Sequence, residues 1–273
     1  MGGYRHSSIG FLTDYGLTDE FVGVCHGVMR CLAPEATVID ITHGIPPHDV
    51  VAGAIALARA VAYLPTGVLL AVVDPGVGSA RLGVVVVTGE GSCLVGPDNG
   101  LLLPAAERLG GAEACFALEN RSLQAQRVSA TFHGRDIFAP AAAHLARGVE
   151  PSAFGPPVPL ADLLRAAIPG AEVGEGRCVG VVLSVDRFGN LETSIDPGDL
   201  AAAGLLPGSR LGLTVGPVRA VAPYGTTFSD APPGEPVVLE DSRGLVAVCL
   251  NQSSAAIVFS AAAGTHIALE REG

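Results

Sequence analysis

The sequence predicts an α/β fold in two parts, an N-terminal α/β domain with a largely parallel sheet over residues 1–168 and a smaller C-terminal all-β barrel domain over residues 169–273. Three observations carry this. Up to residue 145, short runs rich in Val, Ile and Leu alternate with segments of helical spacing, as expected of strands buried on both faces between helices. Between residues 149 and 177, Pro151, Pro156, Pro157, Pro159 and Pro169 with repeated glycine interrupt both patterns, which reads as a connector. Beyond it, short strand-like runs follow one another with turn residues between them, the spacing of a small barrel or sandwich.

Taken in chain order, residues 9–13 form a first strand and residues 19–32 place apolar side chains at helical spacing. Residues 38–41 are again strand-like, and residues 50–63 helical. The runs at 68–73, 82–87 and 93–96 are rich in Val and Leu and too short for buried helices; a helix follows at 103–109 and another begins near Ile137. Within the connector the sequence predicts one short helix near residues 161–167. The C-terminal strands fall at 178–185, 191–195, 210–215, 237–239, 245–250, 256–259 and 266–269.

Composition narrows the function. With 273 residues, 49% of them hydrophobic, the chain can bury a sizeable core. The formal charge is -11, and acidic residues outnumber arginines on both sides of Ile168, so neither part offers a basic nucleic-acid surface. No lysine occurs, which removes lysine Schiff-base chemistry and a Walker-type phosphate loop. The six cysteines are scattered without a Cys-x-x-Cys pair and most sit in apolar stretches, as buried reduced thiols do. The N-terminus lacks a cleavable apolar leader pattern, and the longest apolar run, residues 50–73, is broken by Arg59, Pro65 and Gly67. A cytoplasmic protein with no membrane or nucleic-acid partner is the expectation.

The strand at 68–73 ends in Asp74, a Gly-rich turn and Arg81, placing a carboxylate at a strand's carboxyl end, where ligands of α/β sheets gather. Taken alone, this pattern equally fits a capping Asp with an Arg ion pair. His133, in Thr131-Phe132-His133-Gly134-Arg135-Asp136, stands just before a helix and reads either as a loop histidine or as a catalytic one. Asp14 follows the first strand and suits a ribose diol. Asp14, Asp19, Asp74, His133 and Asp136 show no metal-ligand spacing, so no metal is predicted. His26 and His144 fall on amphipathic helices and His43 and His48 flank the Ile45-Pro46-Pro47 turn, which favours structural or surface roles for all four.

Six stretches together resemble the S-adenosylmethionine (SAM) hydroxide adenosyltransferases, the SAM hydrolases, relatives of the fluorinase and chlorinase enzymes. They are residues 11–16 (FLTDYG), 74–78 (DPGVG) with Arg81, 96–100 (GPDNG), 132–136 (FHGRD), 186–190 (DRFGN) and Ser242-Arg243-Gly244 through Asn251. The resemblance implies a homotrimer whose active sites lie between one subunit's N-terminal domain and its neighbour's C-terminal domain. It also implies SAM as substrate and no cofactor. Position by position, Asp74, Arg81 and His133 match the hydrolases' Asp/Arg/His triad for the water nucleophile.

The halogenases look like tyrosine at the position of Asp74, differ at His133, and carry an extra loop where this chain runs directly from Val87 to Gly96. Hydrolysis is therefore expected over halide transfer. Asp14 matches the ribose contact, Asn190 and Asn251 the adenine edge, and Asp186, Ser242 and Arg243 the amino acid end of methionine. Phe188 and Phe228 match positions that pack on adenine, and Asp19 is counted with the substrate-binding set. His48 stands where the fluorinase has tryptophan, and Phe21 where it has serine. A binding protein for adenosine or SAM that does not cleave its ligand, or a halide-dependent transferase, are the alternative readings.

Overall fold

A computed structural model describes residues 6–272. The chain folds as two compact units, one ending at Ile168 and the other beginning at Pro169.

The first unit is built on a six-stranded sheet in the order β2-β1-β3-β5-β4-β6. Its strands are β1 (Ser8–Thr13), β2 (Thr37–Thr42), β3 (Val68–Val72), β4 (Gly83–Thr88), β5 (Cys93–Pro97) and β6 (Ala112–Ala117). Alternation along β3 explains its unbroken apolar run: Val68, Leu70 and Val72 enter one core with Phe11, Met29 and Phe138, while Leu69 and Ala71 enter the other with Leu12, Leu57 and Leu94. Helices α1 (Phe21–Leu32) and α4 (Ala139–Ala146) supply the first core, and α2 (Val50–Ala60) and α3 (Leu103–Arg108) the second. Asp49 caps α2 by accepting from the Ala52 N–H at 2.9 Å. Gly53 on α2 lets that helix approach Val73 and Leu101, where a Cβ would meet side chains at 2.9–3.0 Å.

The sheet is largely parallel, as expected, and is mixed only because one strand, β4, is reversed. β1, β2, β3 and β5 run parallel, whereas β4 is antiparallel to both neighbours. The cause is connection length: β4 returns to β5 through a tight turn in which the Thr88 N–H donates to the Ser92 carbonyl at 3.0 Å, and a hairpin this short forces antiparallel pairing. The helix expected at 161–167 is absent; only the single turn Leu160–Asp162 is helical. The Leu164 N–H instead donates to Asp98 Oδ1 at 3.0 Å, and Gly100 packs against the backbone of Ala166, so tertiary docking overrides helical propensity there.

The second unit is an antiparallel, nearly closed barrel with the strand order β11-β10-β14-β8-β9-β13-β12. Its strands are β7 (Glu172–Gly174), β8 (Arg177–Val185), β9 (Leu191–Thr193), β10 (Arg210–Val215), β11 (Val218–Pro223), β12 (Pro236–Glu240), β13 (Val246–Leu250) and β14 (His266–Arg271), with β7 paired to β8 alone. The path's two ends meet where the Gly225 N–H donates to the Val238 carbonyl at 2.8 Å, just past β11. Helix α5 (Pro197–Ala202) carries a reciprocal cap between Asp196 and Asp199. The strand expected at 256–259 is instead helix α6 (Ala255–Val258), capped by Ser254. A four-residue apolar run does not discriminate the two states, and the cap decides. Among the described residues no helix is long and apolar enough to cross a membrane.

Candidate active site

Parallel pairing of β1 with β3 aligns Thr13 with Val72, so Asp14 and Asp74 leave the sheet at the same edge. The third parallel strand, β5, contributes from the same edge. Asn99, just beyond it, donates to the Val73 carbonyl at 2.8 Å and accepts the Leu101 N–H at 3.2 Å, pinning the chain directly before Asp74. Sequence reasoning placed Asn99 in a motif without a role; a polar amide next to a strand end was the available signal.

Asp74, Arg81 and His133 form one hydrogen-bonded chain. Arg81 Nε donates to Asp74 Oδ1 at 2.9 Å and Oδ2 at 3.1 Å, and Arg81 Nη2 also pairs with Oδ2. The same Nη2 lies 2.9 Å from His133 Nδ1. A guanidinium only donates, so Nδ1 must accept and the imidazole proton sits on Nε2. Burial, and then the Arg81 charge, hold the His133 pKa below its ordinary value, which keeps the ring neutral. The pair is desolvated, with the Asp74 side chain only 6% exposed, and the Arg81 guanidinium stacks 5.1 Å from the Phe138 ring centre.

Two local features hold this geometry. Gly78 has φ +78°, and a Cβ there would lie 2.5 Å from the Ala130 carbonyl oxygen, so only glycine lets the 74–81 loop meet the segment leading to His133. His133 itself precedes a π-helical turn, Gly134–Phe138, that runs into α4. Gly134 has no room for a side chain because the Tyr15 hydroxyl occupies that space. Burial first, and then Cys25, Asp14 and Asp74, push the Tyr15 phenol far above its ordinary range, so it stays protonated. Tyr15, Phe21 and Phe132 pack edge to face with centroids 5.1–6.0 Å apart, an aromatic cluster that sequence reasoning did not assemble.

Asp14 receives the His48 N–H on Oδ2 at 2.9 Å, and His48 adopts φ 69°, a left-handed conformation rare outside glycine. Asp14 Oδ1 has no hydrogen-bond partner among the described residues. Asp136, by contrast, is buried and serves the framework: it binds Arg135 and accepts the Ser129 N–H at 2.7 Å. Burial pushes its pKa up, but these partners outweigh that and hold it below the ordinary range. Asp19 is exposed, apart from these hydrogen bonds.

In the second unit, Asp186, Phe188 and Asn190 share one tight turn. Asp186 Oδ1 accepts the N–H groups of Phe188 and Asn190 at 2.8 and 2.9 Å, and Oδ2 accepts Asn190 Nδ2 at 2.8 Å. Gly189, at φ +86°, lies directly against Ser254. The turn leaves Phe188 78% exposed, an aromatic side chain presented to solvent at the barrel surface. Phe228 is also exposed. Asn251 Nδ2 donates to the Ala231 carbonyl at 2.8 Å. Arg243 pairs with Glu192, a buried carboxylate on β9 that also accepts from Ser184; Glu192 was not singled out in the sequence. Ser242 is exposed in the turn beside Arg243.

An acid, a guanidinium and a neutral imidazole joined at the carboxyl edge of a sheet make this a site for orienting a small polar nucleophile, carried by an α/β unit that precedes a β-barrel. The family models for the SAM hydroxide adenosyltransferase N-terminal and C-terminal domains match residues 9–155 and 180–268. The chain belongs to the SAM hydroxide adenosyltransferase family. An (R)-S-adenosyl-L-methionine hydrolase from Salinispora arenicola is 48% identical, over 95% of this chain and 96% of its own. A fluorinase from Actinopolyspora mzabensis is 30% identical over 98% of each chain. The crystal structure of a conserved protein from Thermotoga maritima superposes with a TM-score of 0.89 at 36% identity, covering 96% of this chain and 100% of that one.

Proposed function

We propose that the chain hydrolyses SAM at the ribose 5′ carbon to give adenosine and L-methionine. The observation that carries this reading is the Asp74–Arg81–His133 chain of hydrogen bonds, formed by the three residues that the sequence resemblance assigns to the hydrolases' water-handling triad.

Water attacks the 5′ carbon in line with the bond to sulfur. A carbon–oxygen bond forms and the carbon–sulfur bond breaks. Its electron pair neutralises the sulfonium, so methionine leaves as a thioether without a general acid, and one proton is released from the attacking water. Both Asp74 oxygens already accept from Arg81, but each carboxylate oxygen has two lone pairs, so the group retains capacity to accept from a water. His133 offers its Nε2–H as a further positioning donor. Holding the nucleophile in line supplies the main acceleration.

Asp14 Oδ1 binds the ribose diol, with Oδ2 held by His48, and Asp19 belongs to the same substrate-binding set. From the second unit, Asn190 and Asn251 bind the adenine edge, Phe188 and Phe228 cover the base, and Asp186, Ser242 and Arg243 contact the methionine end. The working enzyme is a cytoplasmic homotrimer with no cofactor.

The test is to incubate chelator-treated protein with SAM in oxygen-18 water. Adenosine labelled at its 5′ oxygen, with free methionine, is the expected product. Intact SAM bound without turnover would replace this reading with a binding protein, and 5′-chloro-5′-deoxyadenosine formed on adding chloride would replace it with a halide transferase.

A further inference from the structure

Three side chains outside the Asp74–Arg81–His133 chain converge at the edge of the first sheet. His26 comes from α1, Asp40 from β2, and His43 from the segment just after β2. Their ligand atoms all lie within 4.8 Å of one another. His26 Nε2 is 2.8 Å from Asp40 Oδ1, and His43 Nε2 is 3.1 Å from the same oxygen. We propose that His26, Asp40 and His43 form a binding site for a divalent transition metal of the zinc class.

The state of His43 carries the inference. Its side chain is 3% exposed, and Nε2 has no hydrogen-bond partner of acceptable geometry. A buried nitrogen left in this state costs free energy unless something else satisfies it. The other ring nitrogen, Nδ1, lies 2.8 Å from Thr13 Oγ1, and that oxygen also accepts the Tyr15 N–H at 3.2 Å. With Nδ1–H donating to Thr13, Nε2 bears a lone pair facing a carboxylate oxygen. In that tautomer a cation between them replaces a contact of lone pair with carboxylate by two coordination bonds, and the Thr13 hydroxyl orients the imidazole as outer partners of metal-bound histidines do.

The Phe11 ring packs edge to face against both imidazoles, with centroids 4.7 Å from His43 and 5.7 Å from His26. Donors around tetrahedral zinc stand about 3.3 Å apart for bonds near 2.0 Å, so the two nitrogen–oxygen spacings to Asp40 need widening by only a few tenths of an ångström, and the three ligand atoms already lie within 4.8 Å of one another. Two imidazoles and one carboxylate favour zinc, cobalt or nickel over calcium and magnesium, which prefer oxygen. Asp40 is 47% and His26 34% exposed, which leaves an entry path and a fourth position for water. The metal ties α1 to edge strand β2. It also steadies the 13–16 turn, because the His43 carbonyl accepts the Gly16 N–H at 2.8 Å.

The test uses full-length, metal-stripped protein titrated with Co²⁺ as a visible probe and with Zn²⁺ by calorimetry. One equivalent bound at micromolar concentration is expected, with cobalt bands of tetrahedral nitrogen and oxygen ligation and a raised Tm. His26→Ala and Asp40→Asn, both at partly exposed positions, are expected to weaken binding at least tenfold, and Cys31→Ser to leave it intact. No stoichiometric binding, binding unchanged in both ligand variants, or binding lost with Cys31 would each overturn the proposal.

Discussion

At the scale of single residues, Asp74 and Arg81 are joined by a fork of hydrogen bonds that leaves the carboxylate room for one more donor. Asp74→Ala removes the acceptor for the nucleophile and leaves the residues assigned to adenine and methionine untouched. Turnover is expected to fall about 100-fold or more with SAM affinity nearly unchanged, as single-turnover kinetics and calorimetry will check. Equal turnover in the variant would remove Asp74 from the mechanism. Glu192 acts one step further back, through Arg243. Glu192→Gln keeps the shape but weakens the charge-assisted bonds to Arg243 and Ser184, a loss of about 1–3 kcal/mol. Its kinetic signature is a raised KM for SAM with kcat nearly unchanged, since Arg243 is assigned to methionine and not to water.

Secondary elements decide whether these residues meet. The 74–81 loop and the segment before the π-helical turn touch at Gly78 and Ala130, where no Cβ fits and φ is positive. Gly78→Ala therefore adds a backbone clash to a strained conformation. We expect a loss of about 1–3 kcal/mol in urea unfolding, and a loss of turnover larger than that stability change explains, because Arg81 and His133 are pushed apart. Wild-type turnover in this variant would show that the two segments need not touch. The element scale also marks where local reading ends. Residues 256–259 and 161–167 carry apolar patterns compatible with more than one state, and a serine cap in one case and docking on Asp98 in the other settle them. Strands β6, β7 and β11 carry too little continuous apolar signal to stand out, and pairing with stronger neighbours creates them.

For the molecule as a whole, stability is coupled to pH through three histidines. Burial lowers the pKa of His6, His133 and His144, helped by Arg81 at His133 and by Arg147 at His144. Each folded pKa lies below the unfolded value of 6.5, so on acidification the unfolded chain takes up protons first. Their effect is absent above that value, and stability is lost as pH falls from it through the folded pKa values. Urea unfolding at pH 7.5 and 5.5 is expected to show the loss, with a smaller difference in His144→Gln. A midpoint unchanged between the two pH values would contradict the assignment.

Sequence by itself determined the class of fold and the family, and it singled out the candidate residues of the site. Hydrophobic period is a local property, so the doubly buried strands and the turn-punctuated second half were legible, as were Asp14, Asp74, Arg81 and His133 through their motifs. Tertiary structure alone decided how the pieces meet. Arg81 and His133 are 52 positions apart, and their bond exists because a glycine contact brings two loops together. The reversed direction of β4 follows from a short hairpin, the placing of Asp14 and Asp74 at one sheet edge from the register of β1 with β3, and the gathering of His26, Asp40 and His43 from side chains of α1, edge strand β2 and the segment just after it meeting in space. None of these has a sequence period, because each depends on pairing between segments whose separation along the chain carries no trace of their distance in space.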